Sequence, residues 1–435
     1  MSISSDDRPA RFLWLPPGLR PPVAMTVRQE RIFLLVGVAA LFAGYDMNIY
    51  GLAIPQIQVS LHIPENRVAL TVFFFRLASF AAILLAYSAD LVGRRRLLLI
   101  TIFGQAVATL ATAFSATYGE FLTAQIVTRV FGYAEEMLCI VVIMEEMSAA
   151  ARGWAAGTFS AMDSTGAGLA SLVFALVNLL PFGWRAIYVI GALPLFLVAF
   201  LRRRLPETRR FEAEQTIHSL RSRVAQALTM LRLLVSEYPG RVTAILLAVA
   251  AVGFSFAPAL VLMSKYLQQV HHYSPAQVTA LYVPGGFIAL VISIVAGRTS
   301  DRIGRRPVIA ATLALSAGGF AVFYGGWGGW FIPPVWILAM AGFFTSDALL
   351  AGFSSEIVPT AYRATVSGLR YSVGLLMGGL SLALEGVFYD MFQAHGPAVM
   401  LPLALVPLAL LAVFFLPEPS GKTLEEMTTQ ANTAS

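Results

Sequence analysis

The sequence predicts an all-α membrane protein whose twelve transmembrane helices form two six-helix, pseudo-symmetric bundles. Three observations lead there. The 435-residue chain is 57% hydrophobic and 12% charged, whereas soluble domains carry about 25% charged residues. Its apolar runs are long enough to cross a bilayer and there are twelve of them. The second half also repeats charged landmarks of the first at one fixed offset.

The runs occupy residues 32–54, 67–90, 97–116, 120–146, 153–178 and 184–201, then 242–266, 276–299, 307–327, 331–356, 364–390 and 396–416. Each offers roughly the 20 helical residues that a hydrocarbon core demands. Residues 1–31 are rich in arginine and proline and precede a run long enough to remain as a span. No cleavable signal is therefore expected, and the leader reads as a short disordered cytoplasmic tail. The expected organisation is the tail at 1–31, a first bundle at 32–205, a cytoplasmic linker with short amphipathic helices at 206–241, a second bundle at 242–417, and a cytoplasmic tail at 418–435.

Orientation follows from the lysines and arginines. Of 30, all but Arg67, Arg185, Lys265, Arg76, Arg129 and Arg370 fall in segments that share one side. The positive-inside rule puts that side, and both termini, in the cytoplasm of a plasma membrane, the inner membrane if the source is bacterial. Trp184, Trp327 and Trp330 then sit near the outer interface and Trp154 near the inner one.

Composition excludes several classes. A single cysteine, Cys139, allows no intrachain disulfide and no cysteine-ligated metal. The five histidines lie in loops or at span ends, so no metal, haem or other cofactor is expected, and no enzyme. The net charge of +6 comes from short arginine blocks between apolar runs, which read as topology signals rather than a nucleic-acid surface. The expected partners are the lipid bilayer, protons and a small-molecule substrate, for a chain acting as a monomer.

The repeat is gapless. Asp90-Leu-Val-Gly93-Arg94-Arg95 recurs as Asp301-Arg-Ile-Gly304-Arg305-Arg306, Glu145 with Arg152 recurs as Glu356 with Arg363, and Pro206-Glu207 recurs as Pro417-Glu418, every pair 211 residues apart. Two homologous halves in the same orientation can rock to open a central cavity to either side, which predicts alternating access. In each block the glycine permits a tight turn. The arginines can pair with Glu145 or Glu356 and with helix carboxyl ends. These residues are read as a gating latch, with plain topology anchoring as the alternative.

Ionisable groups at membrane depth are costly, so each is a functional candidate. The first half holds Asp46, Arg76, Arg129, Glu135, Glu136 and Asp163; the second holds Asp347, with Arg370 and Glu385 nearer its span ends. At 1.5 Å per residue, Asp46, Arg76 and Arg129 lie at one level, about 12–13 Å below the outer ends of their spans. Arg129 and Glu136 are seven residues apart and share a helical stripe, while Glu135 is rotated by roughly 100°. Tyr45 is a further candidate for lining the site. The small-residue run from Ser164 to Ala170 reads as a close helix contact.

These residues resemble the major facilitator superfamily of secondary transporters. Its loop signature Gly-x-Leu-Ala-Asp-Arg-x-Gly-Arg-Arg is matched at Ala89, Asp90, Gly93, Arg94 and Arg95, with departures at Ala86, Ser88 and Leu91, and again at Gly297, Asp301, Arg302, Gly304, Arg305 and Arg306. Pro206-Glu207-Thr208 and Gly421-Lys-Thr-Leu-Glu-Glu426 resemble the Pro-Glu-Ser/Thr and terminal signatures of its sugar-porter and metabolite-symporter branches. Gly44-Tyr45-Asp46 is similar to the Gly-Tyr-Asp of proton-coupled sugar porters. The resemblance implies that Asp46 carries a proton opposite Arg129. An acid that alternates between a guanidinium and apolar surroundings binds and releases a proton, which makes Asp46 or Glu136 the carrier, with a static buried ion pair of Asp46 and Arg129 as the alternative.

Sugar is disfavoured as substrate, because the seventh span, Val252 to Leu260, lacks the Gln-Gln and asparagine pattern with which sugar porters bind hydroxyls. Arg76 and Arg129 suit a carboxylate. Tyr45, Arg76, Arg129, Glu135, Glu136, Asp163 and Asp347 form the candidate substrate site. The leading expectation is proton-coupled import of a small polar organic metabolite such as an organic or aromatic carboxylate. Surplus acids keep open a proton antiporter exporting organic cations or drugs, and a non-transporting receptor on the same fold remains the third reading.

Overall fold

The protein is all-α. A computed structural model describes residues 20–203 and 220–418 together with Arg8, Ala10, Phe12 and Leu15. The motifs at 206–208 and 421–426, and the side chain of Asp90, lie outside the described residues. Before the linker run α1 (Val27–Leu61), α2 (Val68–Tyr87), the short α3 (Ala89–Val92), α4 (Arg94–Ala113), α5 (Tyr118–Glu146), α6 (Arg152–Phe174) and α7 (Trp184–Arg202). After it come α8 (Leu220–Glu237), α9 (Pro239–Val261), α10 (Met263–Gln269), α11 (Pro275–Ile303), α12 (Arg305–Tyr324), α13 (Ile332–Glu356), α14 (Arg363–Phe392), α15 (His395–Leu403) and α16 (Val406–Phe415). Each of the twelve apolar runs lies on one helix or on a helix with a short continuation: α2 with α3, α9 with α10, α15 with α16.

Ten of these segments are long and apolar enough to cross a membrane by length and composition. The remaining two, α5 and α6, carry the polar load. Helix α5 places Arg129, Glu135 and Glu136 within two turns, and α6 is built largely from glycine, alanine, serine and threonine. Local signals set the helix ends. Thr26 and Ser274 close capping boxes with Gln29 and Gln277, which satisfies amides that a helix start leaves open. Pro55 accompanies a kink at Ala53 in α1.

The outer face is apolar, as hydrocarbon solvation requires. On α7, Leu193, Leu197 and Phe200 are exposed, while Tyr188, Gly191, Ala192, Leu195, Val198, Ala199 and Arg202 are buried. The i, i+4, i+7 spacing of the exposed set marks one stripe.

The chain divides into two compact units, Met1–Ile63 with Leu77–His218 and Pro64–Arg76 with Ser219–Ser435. The division falls inside α2, so its first turns belong with the second unit. In the first unit one core forms around Phe33, Leu97, Leu138, Ile143 and Phe159. In the second, Phe256 packs against Phe320 and Phe343.

The leader corrects the expectation of a disordered tail over the residues described. Phe12 is buried, edge-on to Trp154 with ring centroids 5.6 Å apart. Trp154 also meets Phe33 at 4.9 Å. Ala10 N donates to Met25 O at 2.8 Å and Val27 N to Arg8 O at 2.9 Å. Burying the Phe12 ring against Trp154 gives that residue a fixed position that polar composition alone does not suggest.

Candidate functional site

The first unit contains a buried polar centre on α1, α4 and α5. Asp46 is wholly buried and accepts from Thr109 Oγ1 at 3.2 Å. The Gln105 amide lies against the same carboxylate, and the Arg129 guanidinium is within electrostatic range of it. Arg129 donates to Met47 O at 3.1 Å and to Gln125 Oε1 at 3.3 Å, beside Met47 Sδ. Gln125 in turn donates to Thr112 at 3.1 Å. Asp46 Oδ2 and both Gln105 amide atoms have no hydrogen bond of ordinary geometry among the described residues. Buried polar atoms are normally satisfied, and this carboxylate oxygen departs from that rule.

Close helix approach makes this geometry possible. A Cβ at Gly166 would overlap the Leu41 carbonyl oxygen, and one at Gly44 would overlap the Asp163 carbonyl. The small-residue run of α6 therefore presses directly on α1 one turn from Asp46. Gly166→Ala is expected to destabilise the protein by about 1–3 kcal/mol through overpacking. Gly168→Ala, whose Cβ meets open space, serves as the control. Thermal unfolding of both purified variants in detergent checks this; equal midpoints would refute it.

Glu135 and Glu136 part company. Glu136 is exposed, and it faces the partly buried Asp163 closely enough for their charges to interact. Glu135 is buried in a closed network. It accepts from Thr101 Oγ1 at 2.5 Å and Cys139 Sγ at 3.1 Å, and forms an ion pair with Arg202. Arg202, fully buried, donates also to Leu35 O at 3.2 Å. The charge distribution of the sequence places Arg202 with the cytoplasmic arginines. A mid-membrane acid requires a base at its own depth, and the first residue after the sixth apolar run is the signal that points to it.

Tyr45 donates to Ile187 O at 3.0 Å with its ring against Gly191, so it braces α1 on α7. The second unit holds Arg76, whose Nη1 reaches Leu375 O at 3.5 Å beside Gly378 and Gly379. It also holds the pair Asp347 with Arg370 at 3.1 Å, the aspartate half exposed.

The repeated charge blocks adopt repeated contacts. Gly93 has φ 97° and Gly304 φ 107°, a region that favours glycine. Arg94 pairs with Glu145 at 3.1 Å, and Arg305 pairs with Glu356 at 3.2 Å and with Asp301 at 2.6 Å. Arg95 donates to Arg203 O at 2.7 Å, and its repeat Arg306 donates to Phe414 O. Each of these contacts stays within one unit. Glu418 caps α12, accepting from the amides of Arg305 at 2.8 Å and Arg306 at 2.9 Å. Its repeat, Glu207, lies outside the described residues. Arg152 donates to Met147 O at 3.2 Å, and Arg363 opens α14.

Residues 36–382 match the model of the Major Facilitator Superfamily. The chain belongs to that superfamily. It is similar to a putative metabolite transport protein of Haemophilus influenzae, 26% identical over 88% of this chain and 94% of that protein. A probable 4-methylmuconolactone transporter of Cupriavidus pinatubonensis is 23% identical over 88% of this chain and 89% of its own length. In fold it is similar to a D-xylose–proton symporter of known crystal structure, with a TM-score of 0.72 and 19% identity over 91% of this chain and 99% of that one. The protein is a membrane transporter of the superfamily and not an enzyme.

Proposed function

We propose that the protein is a proton-coupled symporter that imports a small organic carboxylate by alternating access. Asp46 exchanges the proton, and Arg129 governs its charge state. The observation that carries the reading is the buried Asp46 carboxylate, with one oxygen lacking a hydrogen bond of ordinary geometry among the described residues and a guanidinium close by. A neighbouring guanidinium favours the carboxylate, whereas apolar surroundings favour the neutral acid. A transport cycle that moves Arg129 relative to Asp46 therefore binds and releases a proton. The arginine blocks support an orientation with both termini cytoplasmic, in the inner membrane of a bacterium.

The carboxylate class is supported by the presence of Arg76 and Arg129 at membrane depth in the sequence and by the relative named as a 4-methylmuconolactone transporter. Glu136 beside Asp163 favours a second reading, proton-driven export of an organic cation, because two neighbouring acids, one exposed and one partly buried, attract positive charge. Proteoliposome uptake against a panel of organic acids, sugars and cationic dyes separates the classes. An organic carboxylate is expected to compete and accumulate. Transport of dyes with no response to any acid would replace the first reading by the second.

A further inference from the structure

The second unit holds a largely buried charge cluster of its own. His395, at the start of α15, sits between two carboxylates: Nδ1 is 2.7 Å from Glu385 Oε1 and Nε2 is 2.9 Å from Glu65 Oε2. Lys265 Nζ lies 2.8 Å from the same Glu65 oxygen. The Glu385 side chain is 0% exposed, Lys265 2% and His395 12%, whereas Glu65 is 35% exposed.

We propose that Glu65, Lys265, Glu385 and His395 form a second proton-binding site, in which His395 is an imidazolium at neutral pH. Neutral imidazole carries one N–H and one acceptor nitrogen. With both carboxylates ionised, one of the two short contacts would set lone pair against lone pair. A second ring proton makes both contacts donor to acceptor. Charge balance calls for one added proton as well: two carboxylates and one ammonium carry a net negative charge, and the proton brings the cluster to neutrality. An uncompensated charge at such burial is costly. The Tyr389 ring lies 4.5 Å from the imidazole at a tilt of 34°, which suits a cation.

Of the other ionisable groups nearby, Tyr324 and Tyr266 are occupied by backbone carbonyls and Asp390 is exposed. Tyr324 donates its hydroxyl to Ala259 O at 2.5 Å and Tyr266 donates to Tyr324 O at 2.8 Å. Asp390 accepts from Asn66 at 3.0 Å. Glu385 Oε2 has no hydrogen-bond partner among the described residues, which leaves the acid without a local donor to replace His395.

The site has a structural consequence. Glu65 belongs to the short turn Glu65–Arg67 that precedes α2, and a Cβ at Gly386 would overlap the Asn66 carbonyl. The turn is thus seated on α14 by backbone contact and tied to α10, α14 and α15 through charges. Losing the proton leaves two carboxylates facing a neutral ring and weakens that tie. Partly exposed Glu65 is the route by which water exchanges the proton.

The test is nitrogen NMR of the full-length, histidine-labelled protein in nanodiscs at pH 7.5, with His395→Gln identifying the resonance. Both ring nitrogens of His395 are expected to be protonated. Glu385→Gln and Glu65→Gln each leave a neutral cluster without the extra proton, so each should give a singly protonated ring. Lys265→Gln should retain the imidazolium. Glu65→Gln, at the exposed end, keeps the test decisive if Glu385→Gln does not fold. A neutral His395 in the parent, or an imidazolium that persists in either glutamine variant, overturns the proposal. No solute is used, so failure here leaves the reading of Asp46 standing.

Discussion

Asp46→Asn is expected to lose pH-driven accumulation while remaining folded and able to exchange solute. Asparagine matches the shape of the buried side chain and keeps an acceptor for Thr109, which sits at 3.2 Å. Arg129 keeps its bonds to Met47 O and Gln125. What disappears is the ability to alternate between charged and neutral forms. A gradient of one pH unit corresponds to about 1.4 kcal/mol, so coupling one proton per solute supports roughly tenfold accumulation. In the variant the ratio should fall to about one, with solute counterflow retained. Undiminished accumulation would remove Asp46 from the mechanism.

The largest effect on stability is expected at Arg202. Arg202→Ala leaves Glu135 as an uncompensated buried carboxylate, and breaking such a pair costs about 3–5 kcal/mol. Glu135→Gln should act in the same direction, leaving the guanidinium without its anion. Joint replacement by Glu135→Leu and Arg202→Met should recover much of the loss, because apolar groups of similar volume carry no desolvation penalty. Thermal unfolding in detergent measures all three. A parent-like midpoint for Arg202→Ala would show that the network is not what holds α1, α4, α5 and α7 together.

The fold was legible because hydrocarbon solvation leaves one solution for the backbone: every apolar run becomes a helix. The 211-residue repeat then supplied the two halves, and its charged landmarks return as matched contacts, Arg94 to Glu145 and Arg305 to Glu356. The candidate site was legible in part. Asp46 and Arg129 share a depth that helical rise reveals, and the rotation between Glu135 and Glu136 separates them in space. Arg202 was not legible, since an arginine after an apolar run is ordinarily a topology signal and burial is decided by packing. The cluster around His395 was hidden for the same reason. Its members come from one turn and three separate helices, and Lys265 and His395 each read alone as a span-end residue.

The central claim is that solute entry is driven by proton entry, and the direction of the effective gradient tests it most directly. Purified protein in liposomes with an alkaline interior should accumulate an organic carboxylate, and reversing the gradient should empty the vesicles. Accumulation driven only by an acidic interior, or transport indifferent to either gradient, would contradict the account.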